Sequence, residues 1–173
     1  FLKENIKYKV VGGLRFYERS EIKDAMAYFK IIINKSDNLS LERVLNVPKR
    51  GIGKALIKKL YDIVNKESIS LYESLKLFNV SGSLNVSQKK NVQDFISVIE
   101  RHTSMLKTHN HYEIAGSLLD DVGYTGMLQK EKTPESEGRL ENLKKLITDL
   151  KNRNSIEEFI EEVSLLIDSL NES

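Results

Sequence analysis

Apolar residues recur at helical spacing along nearly the whole chain, and this periodicity limits the fold more than any other feature. Ile22, Ala25, Met26, Phe29, Ile32 and Ile33 share one helical face between Glu21 and Ile33, with Ser20 a candidate N-cap. Leu41, Val44 and Leu45 predict a short helix that Pro48 ends. Leu56, Ile57, Leu60, Ile63 and Val64 repeat the pattern from Lys54 to Lys66, and Leu71, Leu75 and Phe78 repeat it after Ser70. Val92, Phe95, Ile96, Ile99, Met105 and Leu106 mark a long helix, and Tyr112 to Asp121 another, closed by Gly123. A short helix is expected from Tyr124 to Lys130, then a turn at Thr133 to Ser136. Leu140, Leu143, Leu146, Ile147 and Leu150 carry the next helix. Ser155 with Glu158 at the capping-box position opens the last, whose buried face is Phe159, Ile160, Val163, Leu166, Ile167 and Leu170. Only Tyr8-Lys9-Val10-Val11, stopped by Gly12-Gly13, reads as a strand, and Asn79 to Ser87 reads as a loop. The expectation is a mainly α fold. One compact multi-helix domain would carry a single short N-terminal strand.

At 173 residues, with 40% hydrophobic and 30% charged, the chain suits one domain with a proper core. There is no cysteine, which excludes disulfides, thiolate metal sites and cysteine nucleophiles. That absence fits a reducing compartment, and a cytoplasmic location is expected. No apolar run approaches a membrane span, so no membrane partner is expected. The chain opens on Phe1, in what looks like the middle of an element, which suggests a piece of a longer protein.

The net charge of +2 is unevenly spread. Residues 43–66 hold seven bases against one acid, a net of +6, whereas residues 154–173 hold six acids and no base. A basic block of this kind suits a polyanion, while the acidic end suits a solvated helix face. The centre of the basic block is Val47-Pro48-Lys49-Arg50-Gly51-Ile52-Gly53-Lys54. Two glycines one residue apart, opening onto a helix, let an anion approach bare backbone N–H groups. Lys49, Arg50 and Lys54 add charge that neutralises phosphates without reading bases. The same octapeptide also suits a plain tight turn between two helices, with its lysines there for solubility.

Other chemistry finds little support. No GxxxxGK[ST] loop is present to cradle a nucleoside triphosphate. His102, His109 and His111 lie close in sequence, but His109 and His111 are two apart and do not share a helical face. Glu157, Glu158, Glu161 and Glu162 fit a solvated face better than a general acid–base pair. No catalytic residue, metal ligand or cofactor is expected in this chain.

Four ordered segments carry a resemblance. Tyr8-Lys9-Val10-Val11-Gly12-Gly13-Leu14-Arg15-Phe16-Tyr17-Glu18-Arg19-Ser20-Glu21-Ile22-Lys23-Asp24 resembles the sequence that enters subdomain 2B of the UvrD/PcrA/Rep group of superfamily 1 DNA helicases. Asn46 with Val47 to Gly53 is similar to that group's N-x-P-x-R-G-I-G segment. Gly123-Tyr124 with Met127-Leu128, then Arg139-Leu140-Glu141-Asn142-Leu143, match two later stretches in the same order.

The resemblance implies that residues 1–11 end motor domain 2A and that 12–173 form helical subdomain 2B, with a helix-hairpin-helix-like GIG turn. It implies a parent enzyme that uses ATP and Mg2+ to move 3′ to 5′ on single-stranded DNA, with the ATPase motifs outside this chain. It further implies a regulatory subdomain that touches duplex DNA, or a single-strand/duplex junction, ahead of the motor, and that swivels between open and closed orientations. Gly51, Ile52 and Gly53 match the hairpin that contacts the duplex backbone, with Ile52 anchoring the turn in the core. Arg15, Arg19, Glu21 and Lys23 match the opening motif and are candidates for the 2A–2B junction or for structural salt bridges. Gly12 and Gly13 are candidate hinge residues, the alternative being a fixed turn. Arg139, Glu141 and Asn142 match a segment expected to pack against 2A or within 2B. Partners would be DNA and motor domains 2A and 1B. Alternatively the module docks a repair protein or a second helicase copy.

Overall fold

The computed structural model describes residues 13–171, so the strand expected at Tyr8 to Val11, and Gly12, lie outside the described residues. Ten helices make up the described residues, and no strand occurs among them. In chain order they are α1 (Gly13–Tyr17), α2 (Ser20–Ile33), α3 (Asn38–Val44), α4 (Lys54–Glu67) and α5 (Leu71–Val80), then α6 (Val86–Met105), α7 (His111–Asp121), α8 (Tyr124–Glu131), α9 (Pro134–Lys151) and α10 (Ile156–Asn171).

Helix α2 is the centre of the fold. Ile22, Ala25, Met26, Ala27, Tyr28, Phe29, Ile31 and Ile32 are all buried, while Ser20 and Lys23 are exposed. A helix buried over most of its surface must be packed by others on several sides. Here α1, α3, α6, α7, α9 and α10 pack around it. Two acids go inside with it and find partners, as buried charges must. Asp24 accepts from Arg43 Nε at 2.8 Å and from the Tyr124 hydroxyl at 2.7 Å, which ties α2 to α3 and α8. Glu21 accepts from Asn142 Nδ2 at 2.8 Å, which ties α2 to α9.

A second polar knot joins the two ends of the described chain. The Tyr17 hydroxyl of α1 donates to Asp149 Oδ2 of α9 at 2.6 Å. Arg153 pairs with Asp149 at 3.4 Å and with Glu162 of α10. Burial, and then the bond to Asp149, push the Tyr17 hydroxyl well above the ordinary tyrosine range, so it serves as a neutral donor.

Side-chain caps set five of the ten helix starts. Asp37, Ser70 and Asn85 accept from the third N–H of α3, α5 and α6, and Ser155 Oγ accepts from Glu158 N at the start of α10. Three boundaries differ from the sequence reading. Ser20 is the first residue of α2 and Arg19 is its N-cap, without a side-chain bond, because α1 feeds almost directly into α2. Thr133 to Ser136 is a helix start: Thr133 and Ser136 form a reciprocal capping box, and Pro134 occupies a position where its missing N–H costs nothing. The loop expected over Asn79 to Ser87 shrinks to 81–85, since α5 runs through Val80 and Asn85 already caps α6.

Candidate nucleic-acid interface

Residues 45–53 join α3 to α4, and this segment is pinned from within. Leu45 and Ile52 are fully buried, so Ile52 anchors the turn as the resemblance implies. Asn46 Oδ1 accepts from Arg50 N at 2.7 Å and from Ile52 N at 3.1 Å. One short amide side chain thus takes the place of a backbone partner for two loop donors.

Arg50 departs from the electrostatic role read from its charge. It is 7% exposed. Its Nη1 donates to Val44 O at 2.8 Å and Leu45 O at 2.9 Å, and its Nη2 to the Tyr28 hydroxyl at 2.8 Å and Val122 O at 3.1 Å. The guanidinium carbon lies 4.5 Å from the centre of the Phe95 ring. The planar fork of arginine suits this spread of carbonyls, which a lysine could not span. Burial raises the Tyr28 hydroxyl above the tyrosine range against the pull of Arg50, so Tyr28 stays neutral and donates onward to Val47 O. Arg50 is therefore a strut between the loop, α2 and the end of α7.

The outer side of the loop is different. Lys49, Gly51, Gly53 and Lys54 are exposed, as are Lys58 and Lys59 along α4. No carboxylate lies within 4.0 Å of Lys49, Lys54, Lys58 or Lys59 among the described residues. Gly53 is the N-cap of α4 and offers no side chain to its first turn. The N–H groups of Gly51, Gly53, Lys54, Ala55 and Leu56 have no hydrogen-bond partner among the described residues. Gly51 adopts φ +80, a left-handed conformation that glycine reaches without strain. Free donors, the positive end of a helix and unneutralised lysines are the components of an anion site.

The other sequence candidates fall elsewhere. Gly13 begins α1 with φ +61. Arg15 and Arg19 are exposed and form no ion pair among the described residues, which leaves the salt-bridge alternative unformed for them. Arg19 and Glu21 come together with Arg139, Glu141 and Asn142 around one cleft of about 580 Å³, so the two segments meet across more than a hundred residues of sequence. Asn142 binds Glu21 there, while Arg139 pairs with Glu135 along its own helix.

The histidines serve separate structural tasks. His102 is fully buried between Val98 O and Ser117 Oγ, His111 bonds Leu150 O, and His109 bonds Thr108. No group of three or more potential metal ligands occurs among the described residues, and no described helix is long and apolar enough to cross a membrane. Of the four glutamates near the start of α10, Glu162 binds Arg153 and Glu158 accepts from Asn154 N.

Comparison with known sequences agrees with the four motifs. A model of the UvrD-like helicase C-terminal domain matches residues 1–173. DNA helicase II of Rickettsia typhi is 37% identical over 169 residues, covering 98% of this chain and 26% of that protein. ATP-dependent DNA helicase PcrA of Staphylococcus epidermidis is 36% identical over 180 residues, covering 97% of this chain and 24% of that protein. The probable DNA helicase II homolog of Rickettsia conorii is 36% identical over 169 residues, with 98% and 26% covered. The chain therefore spans about a quarter of the length of these relatives. With its whole length matched, the chain belongs to the UvrD-like helicase C-terminal domain family.

Proposed function

We propose that this chain is subdomain 2B, with the end of motor domain 2A at residues 1–11, of an ATP-dependent 3′ to 5′ DNA helicase, and that its 45–54 loop holds the duplex backbone ahead of the motor. One observation carries the reading: the N–H groups of Gly51, Gly53, Lys54, Ala55 and Leu56, without a partner among the described residues, lie beside Lys49 and Lys54, which have no carboxylate within 4.0 Å among those residues. Such a surface binds phosphates and ignores base sequence. ATP and Mg2+ would act in the parent enzyme, whose motor domains 2A and 1B would be this chain's neighbours. Gly12 and Gly13 would serve as the hinge. Their replacement by alanine should shift the open–closed distribution of the intact helicase in single-molecule distance measurements, and an unchanged distribution would remove the hinge role.

The test of DNA contact is fluorescence anisotropy with a duplex bearing a 3′ single-stranded tail, over a range of salt. Contacts from Lys49, Lys54 and Lys58 should give a log–log salt slope of about −3. A Lys49→Ala/Lys54→Ala variant should lose about two units of that slope. Equal slopes in the two proteins would refute the assignment.

A second reading has an observation of its own. Met26, Ala27, Leu39, Ile160, Val163 and Ile167 line a groove of about 290 Å³, and Leu39 is 81% exposed. Such a patch suits a protein partner. Binding of a repair protein that is lost on Leu39→Ser, while DNA binding persists, would favour it.

A further inference from the structure

Helix α6 holds the loop along a single stripe. Gln88, Asn91 and Phe95 are spaced three and then four residues apart, so they share one helical face. Gln88 Nε2 donates to Gly51 O at 2.8 Å, Asn91 Nδ2 donates to Arg50 O at 3.3 Å, and the Phe95 ring stacks on the Arg50 guanidinium. The Gln88 amide has one consistent orientation. Its Oε1 accepts from Asn85 N at 3.1 Å, inside a capping box in which Asn85 Oδ1 accepts from Gln88 N at 2.8 Å. With the oxygen committed to the cap, the nitrogen faces the loop. Contact is close: a Cβ built on Gly51 would lie 3.0 Å from Gln88 Cγ.

The consequence is a sorting of backbone groups. The N–H groups of Arg50 and Ile52 go inward to Asn46. The carbonyls of Arg50 and Gly51 go inward to Asn91 and Gln88. The neighbouring N–H groups, those of Gly51 and Gly53, have no partner among the described residues. A loop that binds an anion must turn its carbonyl oxygens away, because an outward carbonyl repels the phosphate as strongly as an N–H attracts it.

Resting on the phosphate-contact reading above, we infer that Gln88 and Asn91 are positioning residues for duplex binding. They hold the loop carbonyls inward, so that the free N–H groups are set in place before DNA arrives. Neither residue belongs to the four motifs that carry the family resemblance. The duplex site thereby depends on a helix that begins more than thirty residues after the loop. Ordering the loop in advance removes part of the entropy that binding would otherwise lose.

The test has two arms. In the DNA-free chain, 15N relaxation at Gly51 and Gly53 reports loop order. The wild type should give order parameters of about 0.85, and a Gln88→Met/Asn91→Leu variant values below about 0.6. Gln88→Glu keeps the acceptor for Asn85 N, and with it the helix cap, yet sets an acceptor against Gly51 O. It should therefore also loosen the loop while leaving the rest of the spectrum in place. In the binding arm, the double variant should lose affinity for the tailed duplex by about tenfold with an unchanged salt slope, because the lysines remain. Ser87→Glu controls for the added charge of Gln88→Glu and should leave the loop ordered. Order parameters unchanged in both Gln88 variants would overturn the positioning role. So would a loosened loop with unchanged affinity. A wild-type chain that binds no duplex at low salt would instead defeat the phosphate reading, and the inference with it.

Discussion

Replacing Arg50 separates a strut from a surface contact. In the structure its guanidinium makes four hydrogen bonds and stacks on Phe95, and Leu45 O and Val122 O accept from no other group among the described residues. Arg50→Ala strands both carbonyls, at about 1–3 kcal/mol each, and removes the packed guanidinium. The sum is a loss of about 3–5 kcal/mol, a large part of the stability of a domain this size. With a urea dependence of about 2 kcal/mol per molar, the unfolding midpoint should fall by about 2 M. Arg50→Lys keeps the charge but cannot reach acceptors on all three segments, and should cost roughly half as much. Urea unfolding followed by circular dichroism reads both variants. DNA binding of Arg50→Ala, followed over a range of salt, should keep the wild-type slope. For that variant a midpoint within about 0.3 M of wild type, together with a slope shallower by about one unit, would refute the argument and return Arg50 to the phosphate surface.

Three further outcomes follow from the geometry. Gly51→Ala combines a left-handed backbone with a Cβ pressed onto Gln88, and should cost about 1–2 kcal/mol in the same urea assay while weakening duplex binding. Asp149→Ala removes the buried carboxylate that the Tyr17 hydroxyl and Arg153 share; it should destabilise by about 3–5 kcal/mol, and a change under about 1 kcal/mol would contradict the buried-knot account. Burial first, then hydrogen bonds to acids, raise Tyr17, Tyr72 and Tyr124 above the ordinary range, and the same two causes push Tyr61 up to about 12. These groups hold their protons more tightly when folded, so their stabilisation is complete below about pH 10 and is lost as pH rises through the folded values. The urea midpoint should therefore fall between about pH 10 and 12, less steeply in Tyr61→Phe, and a flat midpoint there would count against it.

The helical character was legible because the apolar periodicity of α2, α4, α6, α9 and α10 is long and regular. The start of α10 was legible as well, since Ser155 and Glu158 form a local signal. Pro134 misled because proline suits a turn and the first turn of a helix equally, and only the Thr133–Ser136 capping box decides between them. Helix α1 is too short to show a period. The basic loop was legible from its two glycines and its charge, and the anchoring by Ile52 only through the family resemblance. The side of the loop on which Arg50 lies was not legible. Lys49 and Arg50 look alike in sequence, and only Tyr28, Phe95 and Val122, brought in from three other helices or their ends, draw Arg50 inward. Gln88 gave a faint signal as the third residue after Asn85, but its second bond, to Gly51 O, depends on tertiary structure.

The most direct test of the account follows backbone amide shifts in a 15N-labelled chain as a tailed duplex is added at low salt. The account predicts the largest changes at Gly51, Gly53, Lys54 and Ala55, graded with DNA concentration and reversed by added salt. Changes concentrated at the α2–α10 groove around Leu39, or in the cleft around Arg19 and Asn142, with the loop amides unmoved, would contradict it.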